Sequence, residues 1–106
     1  GFTGSLARRL DDACALPVSE ATHNEPLRAG TIRIAPGGRH LAVRPSLLGT
    51  GPVAQLSSRP SGLAFCPAVD VLFDSLASTY AARTVAVLLT GMGDDGADGM
   101  VRLRQA

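Results

Sequence analysis

The chain has no lysine, few aromatic residues and no long apolar run, and each shortage closes off a class of function. All ten basic residues are arginines scattered from Arg8 to Arg104, net charge is +1, and only three Phe and one Tyr could stack on bases. That is the pattern of solvated faces rather than of a stripe that tracks phosphates, so no nucleic-acid partner is expected. No apolar run approaches the roughly 18 residues of a membrane span, and no basic-then-apolar leader opens the chain. The first residue is Gly1 rather than an initiator methionine, and the chain reads as an excised segment. The two cysteines, Cys14 and Cys66, are far apart and follow no metal spacing, so two reduced, partly buried thiols are expected rather than a disulfide. Internal repeats and low-complexity tracts are absent. What remains is a chain of 106 residues, 45% hydrophobic and 18% charged, which is globular and one domain at most.

Phe2, Leu6, Leu10 and Cys14 recur every four residues, so residues 2–14 read as an amphipathic helix that Pro17 ends. A short extended piece follows around Val18. The alternating "TIRIA" at 31–35 predicts a strand, "PGG" at 36–38 a turn, and "HLAVR" at 40–44 the hairpin partner of that strand. Residues 45–60 are rich in Pro, Gly and Ser and read as a loop. Val69, Leu72, Phe73, Leu76 and Tyr80 mark a second helix, with Pro67 at or just before its first turn. "TVAVLLT" at 84–90 is apolar throughout, as expected of a strand buried on both faces, and a third helix should span 97–105. Together these elements point to an open α/β sheet. The buried strand needs neighbours on both edges, and the chain supplies few.

The apolar run stops at "GMGDDGADGM", where Asp94, Asp95 and Asp98 sit among glycines at the carboxyl end of the expected strand. Ligands and catalytic groups gather at that end of open α/β sheets. Four readings are open. An aspartate there can cap the following helix. A phosphate loop would need the lysine that is missing, and adjacent carboxylates would repel phosphate. A Mg²⁺ or Ca²⁺ site would use the carboxylates, but the spacing is not that of an EF-hand and no distant acidic cluster adds ligands. A catalytic aspartate would orient a histidine for a nucleophile, yet no serine stands in a G-x-S-x-G elbow. Of the two histidines, His23 reads as an exposed loop residue, while His40 opens a strand and is either structural or near a site.

Three segments, "GTIRIAPGGRH" (30–40), "CPAVDVLFDS" (66–75) and "LLTGMGDDGADGM" (88–100), stand in an order and spacing that resembles the catalytic domain of the chemotaxis protein-glutamate methylesterases (CheB). The opening "GFTGSLARRL" is similar to the family segment that directly follows its catalytic histidine. The resemblance covers nearly the whole chain. It implies an α/β fold: part of a doubly wound, mainly parallel sheet with a β-hairpin (Rossmann-like), truncated at both ends, so that residues 1–106 are a partial catalytic domain. It also implies a cytoplasmic serine hydrolase of bacterial chemotaxis that cleaves glutamate methyl esters on chemoreceptors, and often deamidates receptor glutamines, without cofactor or metal. The methylated chemoreceptor is the implied substrate partner, and a receiver domain belongs to the parent protein in this family.

Carried over by the same resemblance, Asp95 is the aspartate of a Ser-His-Asp triad, Asp94 occupies a variable position, and the peptide N–H of Met92 lies beside the oxyanion site. The side chain of Met92 reads more simply as packing. Serine and histidine would both precede Gly1, so the fragment alone is expected to be inactive. Where the family often has His-Arg-Pro-Ser before V-D, this chain has Phe65, Cys66, Pro67 and Ala68, which weighs against a polar role for that rim. The alternative function is a non-catalytic, truncated α/β interaction module.

Overall fold

The computed structural model describes residues 2–58, 66–89 and 94–106. The amphipathic pattern at the start forms helix α1, Phe2–Ala13, with one further turn bond from Cys14 N–H to the Leu10 carbonyl. Two side-chain bonds hold α1 against the first strand, β1 (Val18–Glu20). Asp11 Oδ1 accepts from the Val18 N–H at 2.7 Å, and Thr3 Oγ1 donates to Glu20 Oε2 at 2.7 Å. Strand β1 runs parallel to β2 (Ile32–Ile34), with Val18 opposite Ile32 and Glu20 opposite Ile34.

The partner expected for β2 goes elsewhere. Residues His40–Pro45 form β3 and pair antiparallel with β4, Pro52–Ser57, from His40 opposite Ser57 to Pro45 opposite Pro52. The hairpin is therefore β3–β4, and the supposed loop at 45–60 contains a strand. Ala54 and Leu56 point inward and are buried with Gln55 exposed between them, as a strand's alternation requires, and Val53 on the opposite face is buried as well. Pro52 costs little because it stands at the first position of the strand. The turn after β2 (Arg39 N–H to the Pro36 carbonyl, Gly38 at φ 84°) redirects the chain without folding it back onto β2.

The outer edge of β4 is covered by residues 23–27. Ala54 N–H bonds the Glu25 carbonyl, Asn24 N–H bonds the Ala54 carbonyl, and Leu27 N–H bonds the Pro52 carbonyl. His23 extends that edge with its ring, Nδ1 accepting from the Leu56 N–H at 3.0 Å. Backbone groups that would invite another strand are thereby satisfied locally. Ala21, Leu41, Ala54 and Leu56 form the core, with Leu27, Ala35 and Leu72 packed against them.

Helix α2, Val69–Thr79, crosses β3 and is fastened to it by Ser75. The Ser75 hydroxyl donates to the Leu72 carbonyl at 2.7 Å and accepts from the Val43 N–H at 2.9 Å. Helix α3, Ala97–Gln105, packs on α2, and the Arg102 guanidinium spans both carboxylate oxygens of Asp74. That hydrogen bond, with the charge of Asp74, raises the affinity of Arg102 for its proton. Cys14 and Cys66 are unpaired thiols, and Cys14 is exposed rather than partly buried.

One expectation fails in an instructive way. After a single 3₁₀ turn at Ala81–Arg83, residues 84–89 have no strand partner among the described residues, and residue 90 lies outside them. Val85 is 93% exposed, Val87 70% and Leu89 80%, where burial on both faces was expected. An apolar run gives a segment the capacity to be a central strand. Only neighbouring backbone on both edges makes it one.

Candidate active site

Helix α2 begins badly on its own. Its N-cap is Ala68, at φ −105° and ψ 135°, with no side-chain oxygen to receive the first free N–H groups. Two distant side chains do so instead. Asp95 accepts from the Val69 N–H through Oδ2 at 2.7 Å and from the Asp70 N–H through Oδ1 at 3.1 Å. His40, the first residue of β3, accepts from the Ala68 N–H through Nδ1 at 3.0 Å. The return bond comes from Asp70 in the first turn of α2, whose Oδ1 accepts from the Gly99 N–H of α3 at 2.8 Å. Each helix is thus capped by an acid associated with the other.

Two glycines permit this crossing. Gly96, the N-cap of α3, is left-handed at φ 97°, and a Cβ there would stand 2.9 Å from both Val69 Cγ1 and Leu88 Cδ1. Gly99 lies against α2 so closely that a Cβ would meet Phe73 Cβ at 2.7 Å.

The three aspartates separate on this geometry. Asp94 is exposed, and it is its backbone carbonyl that accepts from the Ala97 N–H. Asp98 is exposed in the first turn of α3, where a negative charge complements the helix dipole. Asp95 alone is half-buried and built into the packing. Capping and catalysis, set out as rivals, are not exclusive for it: Asp95 caps a helix, but α2 rather than the α3 that follows it in sequence. A carboxylate offers about four acceptor sites, and two are engaged, so acceptor capacity remains for a further donor. Met92, with the rest of 90–93, lies outside the described residues.

His40 is completely buried. With Nδ1 accepting, the neutral ring carries its proton on Nε2, and that atom has no hydrogen-bond partner among the described residues. His23 remains exposed and serves the β4 edge instead. Asp70 went unrecognised in the sequence, although an acid in the first turn of a helix that starts with "AVD" is a capping signal.

Beside the N-terminus of α2, Ala35, Leu41, Pro67, Ala68, Val69 and Leu72 line a small, half-open apolar pocket of about 110 Å³. Pro67 and Ala68 give it an apolar wall, and Phe65 lies outside the described residues. Among the described residues, no group of three or more His, Cys, Asp or Glu side chains could hold one metal ion.

Comparison with known proteins gives consistent matches. A family model described as "CheB methylesterase" matches residues 1–106. The chain is 48% identical over 105 residues to protein-glutamate methylesterase/protein-glutamine glutaminase 1 of Dechloromonas aromatica, covering 99% of this chain and 29% of that protein. It is 47% identical over 106 residues to the protein-glutamate methylesterase/protein-glutamine glutaminase of Geobacillus kaustophilus, covering 100% of this chain and 30% of the relative. The crystal structure of the Thermotoga maritima CheB methylesterase catalytic domain superposes with a TM-score of 0.91 at 38% identity, over 99% of this chain and 55% of that one. The chain thus spans less than a third of the length of these curated relatives, and its architecture is that of an incomplete α/β domain.

Proposed function

The chain belongs to the CheB methylesterase family, and on that premise we propose that it supplies the aspartate-bearing part of a serine-type protein-glutamate methylesterase and glutamine deamidase. The single observation that supports this most is the seating of Asp95: both carboxylate oxygens are held by backbone N–H groups of α2, yet acceptor sites remain. A group that orients a histidine needs that combination of rigidity and free lone pairs.

In the proposed reaction, serine and histidine come from sequence outside these residues. Serine attacks the side-chain ester carbonyl as histidine takes its proton, and the tetrahedral oxyanion forms against backbone N–H groups. The peptide N–H of Met92 is proposed as one of these. Collapse expels methanol, which receives the proton from histidine, and water then hydrolyses the acyl-enzyme to glutamate. With a glutamine substrate the leaving group is ammonia. Asp95 holds the imidazole in the required tautomer and balances the imidazolium charge.

The proposed substrate is a methylated chemoreceptor and the proposed site of action is the cytoplasm. No helix among the described residues is long and apolar enough to cross a membrane. The greater length of the relatives leaves room for another domain, and a receiver domain is the partner we propose for it.

The test uses the full-length protein, meaning residues 1–106 together with the segments that carry the proposed serine and histidine. Asp95→Asn should lower methanol release from methylated receptor by about 10⁴-fold per folded molecule. Because Asp95 also caps α2, the same variant should lose about 1–2 kcal/mol of stability. Asp94→Asn should change neither by much. Stability lost in Asp95→Asn with turnover per folded molecule intact would reduce Asp95 to a cap and end the triad assignment.

A further inference from the structure

The buried histidine that this mechanism does not use binds the backbone amide next to those bound by the aspartate that it does. His40 holds the Ala68 N–H, and Asp95 holds the next two, those of Val69 and Asp70. Three consecutive amides are thus fixed by side chains from β3 and from the loop before α3. Since Ala68 has no capping side chain of its own, its conformation is set by what grips its amide. Planar peptides transmit that grip: turning the Ala68 N–H rotates the peptide before it and re-aims the helix start that follows.

We propose that His40 is a positioning residue for Asp95. Through the Ala68 amide it fixes the first turn of α2, and that turn holds the Asp95 carboxylate at the angle from which it accepts a bond from the triad histidine. The inference rests on the catalytic assignment of Asp95 and deepens it. Packing gives a poor account of His40. The residue is 0% exposed, and among the described residues its ring is held by the bond from the Ala68 N–H to Nδ1, a role that an apolar side chain filling the same space could not take. What the imidazole adds is its Nδ1 acceptor. His40 touches neither substrate nor reacting atoms in this scheme.

Two substitutions in the full-length protein separate the acceptor from the bulk. His40→Asn keeps an oxygen near the position of Nδ1. His40→Gln is nearer in length to the imidazole but carries its amide toward the position of Nε2, leaving the Ala68 N–H without its acceptor. The expected result is that His40→Asn keeps kcat within about threefold, while His40→Gln lowers kcat by about ten- to hundredfold with KM unchanged. Placed on Asp95→Asn, His40→Gln should cause no further loss of kcat, because the group that it positions is already gone.

Equal kcat per folded molecule in both His40 variants would overturn the inference. So would a His40→Gln loss that persists undiminished on Asp95→Asn. An Asp95→Asn variant with native kcat would instead overturn the triad assignment beneath it. Should His40→Gln fail to fold, His40→Asn decides: native kcat supports the positioning role, and a loss beyond about tenfold overturns it.

Discussion

Replacing Gly99 by alanine tests how tightly the two capped helices are locked together. In an ordinary helix interior this change is favourable by about 0.8–1.0 kcal/mol, because glycine has more backbone freedom to lose. Here the new Cβ would stand 2.7 Å from Phe73 Cβ, 2.8 Å from Asp70 Oδ1 and 3.4 Å from Asp70 Cα. Carbon atoms in contact prefer about 3.5–4.0 Å, and two of these three atoms belong to or adjoin the α2 backbone. No rotamer change relieves them, so α3 must withdraw by on the order of 1 Å. Withdrawal stretches the bond from Gly99 N–H to Asp70 Oδ1, now 2.8 Å, past the hydrogen-bond range of about 3.2 Å. The lost cap is worth about 1 kcal/mol and the overpacking about 1–3 kcal/mol. After the propensity gain, Gly99→Ala should be destabilising by about 1–3 kcal/mol. Urea unfolding of the full-length protein, followed by circular dichroism, measures it. Gly37→Ala is the control, since its φ is not positive and the nearest atom to its Cβ would be Thr3 Oγ1 at 3.7 Å; it should be neutral or slightly stabilising. A Gly99→Ala protein as stable as the parent would show that the helices do not meet as closely as described.

Asp70→Ala removes the acceptor for the Gly99 N–H and should cost about 1 kcal/mol in the same unfolding assay, while leaving kcat per folded molecule within a small factor. Residues 1–106 alone should release no methanol above background and should bind an apolar dye or self-associate, since Val85, Val87 and Leu89 are exposed; Val85→Lys with Leu89→Lys should reduce the dye signal, and a monomer that melts sharply without dye binding would refute the expectation. A metal chelator should leave turnover of the full-length protein unchanged, because no step in the proposed reaction uses an ion; loss of activity on chelation would reopen a metal role for the aspartate loop.

Helices were legible in the sequence because their periodicity is a local property. The recurrence of Phe2, Leu6 and Leu10, and of Val69, Leu72, Phe73, Leu76 and Tyr80, marks one face wherever that face is later buried, and α1, α2 and α3 stand at or within a residue of their expected limits. The aspartate loop was equally visible, as three acids among glycines after an apolar run, and family resemblance singled out Asp95 among them. Strand pairing was not legible, because a strand is completed by groups far along the chain. Nothing within residues 40–44 says whether they answer 31–35 or 52–57, and the composition of 84–89 cannot supply the neighbours that would bury it. The same holds for the caps. An aspartate before a helix in sequence is expected to cap that helix, yet Asp95 bonds amides 25 and 26 residues earlier, and His40 bonds one 28 residues later. Sequence alone named the acid; only the packing of α3 on α2 and of α2 on β3 decided which backbone holds it, because hydrogen bonds are satisfied by proximity in space and not by order along the chain.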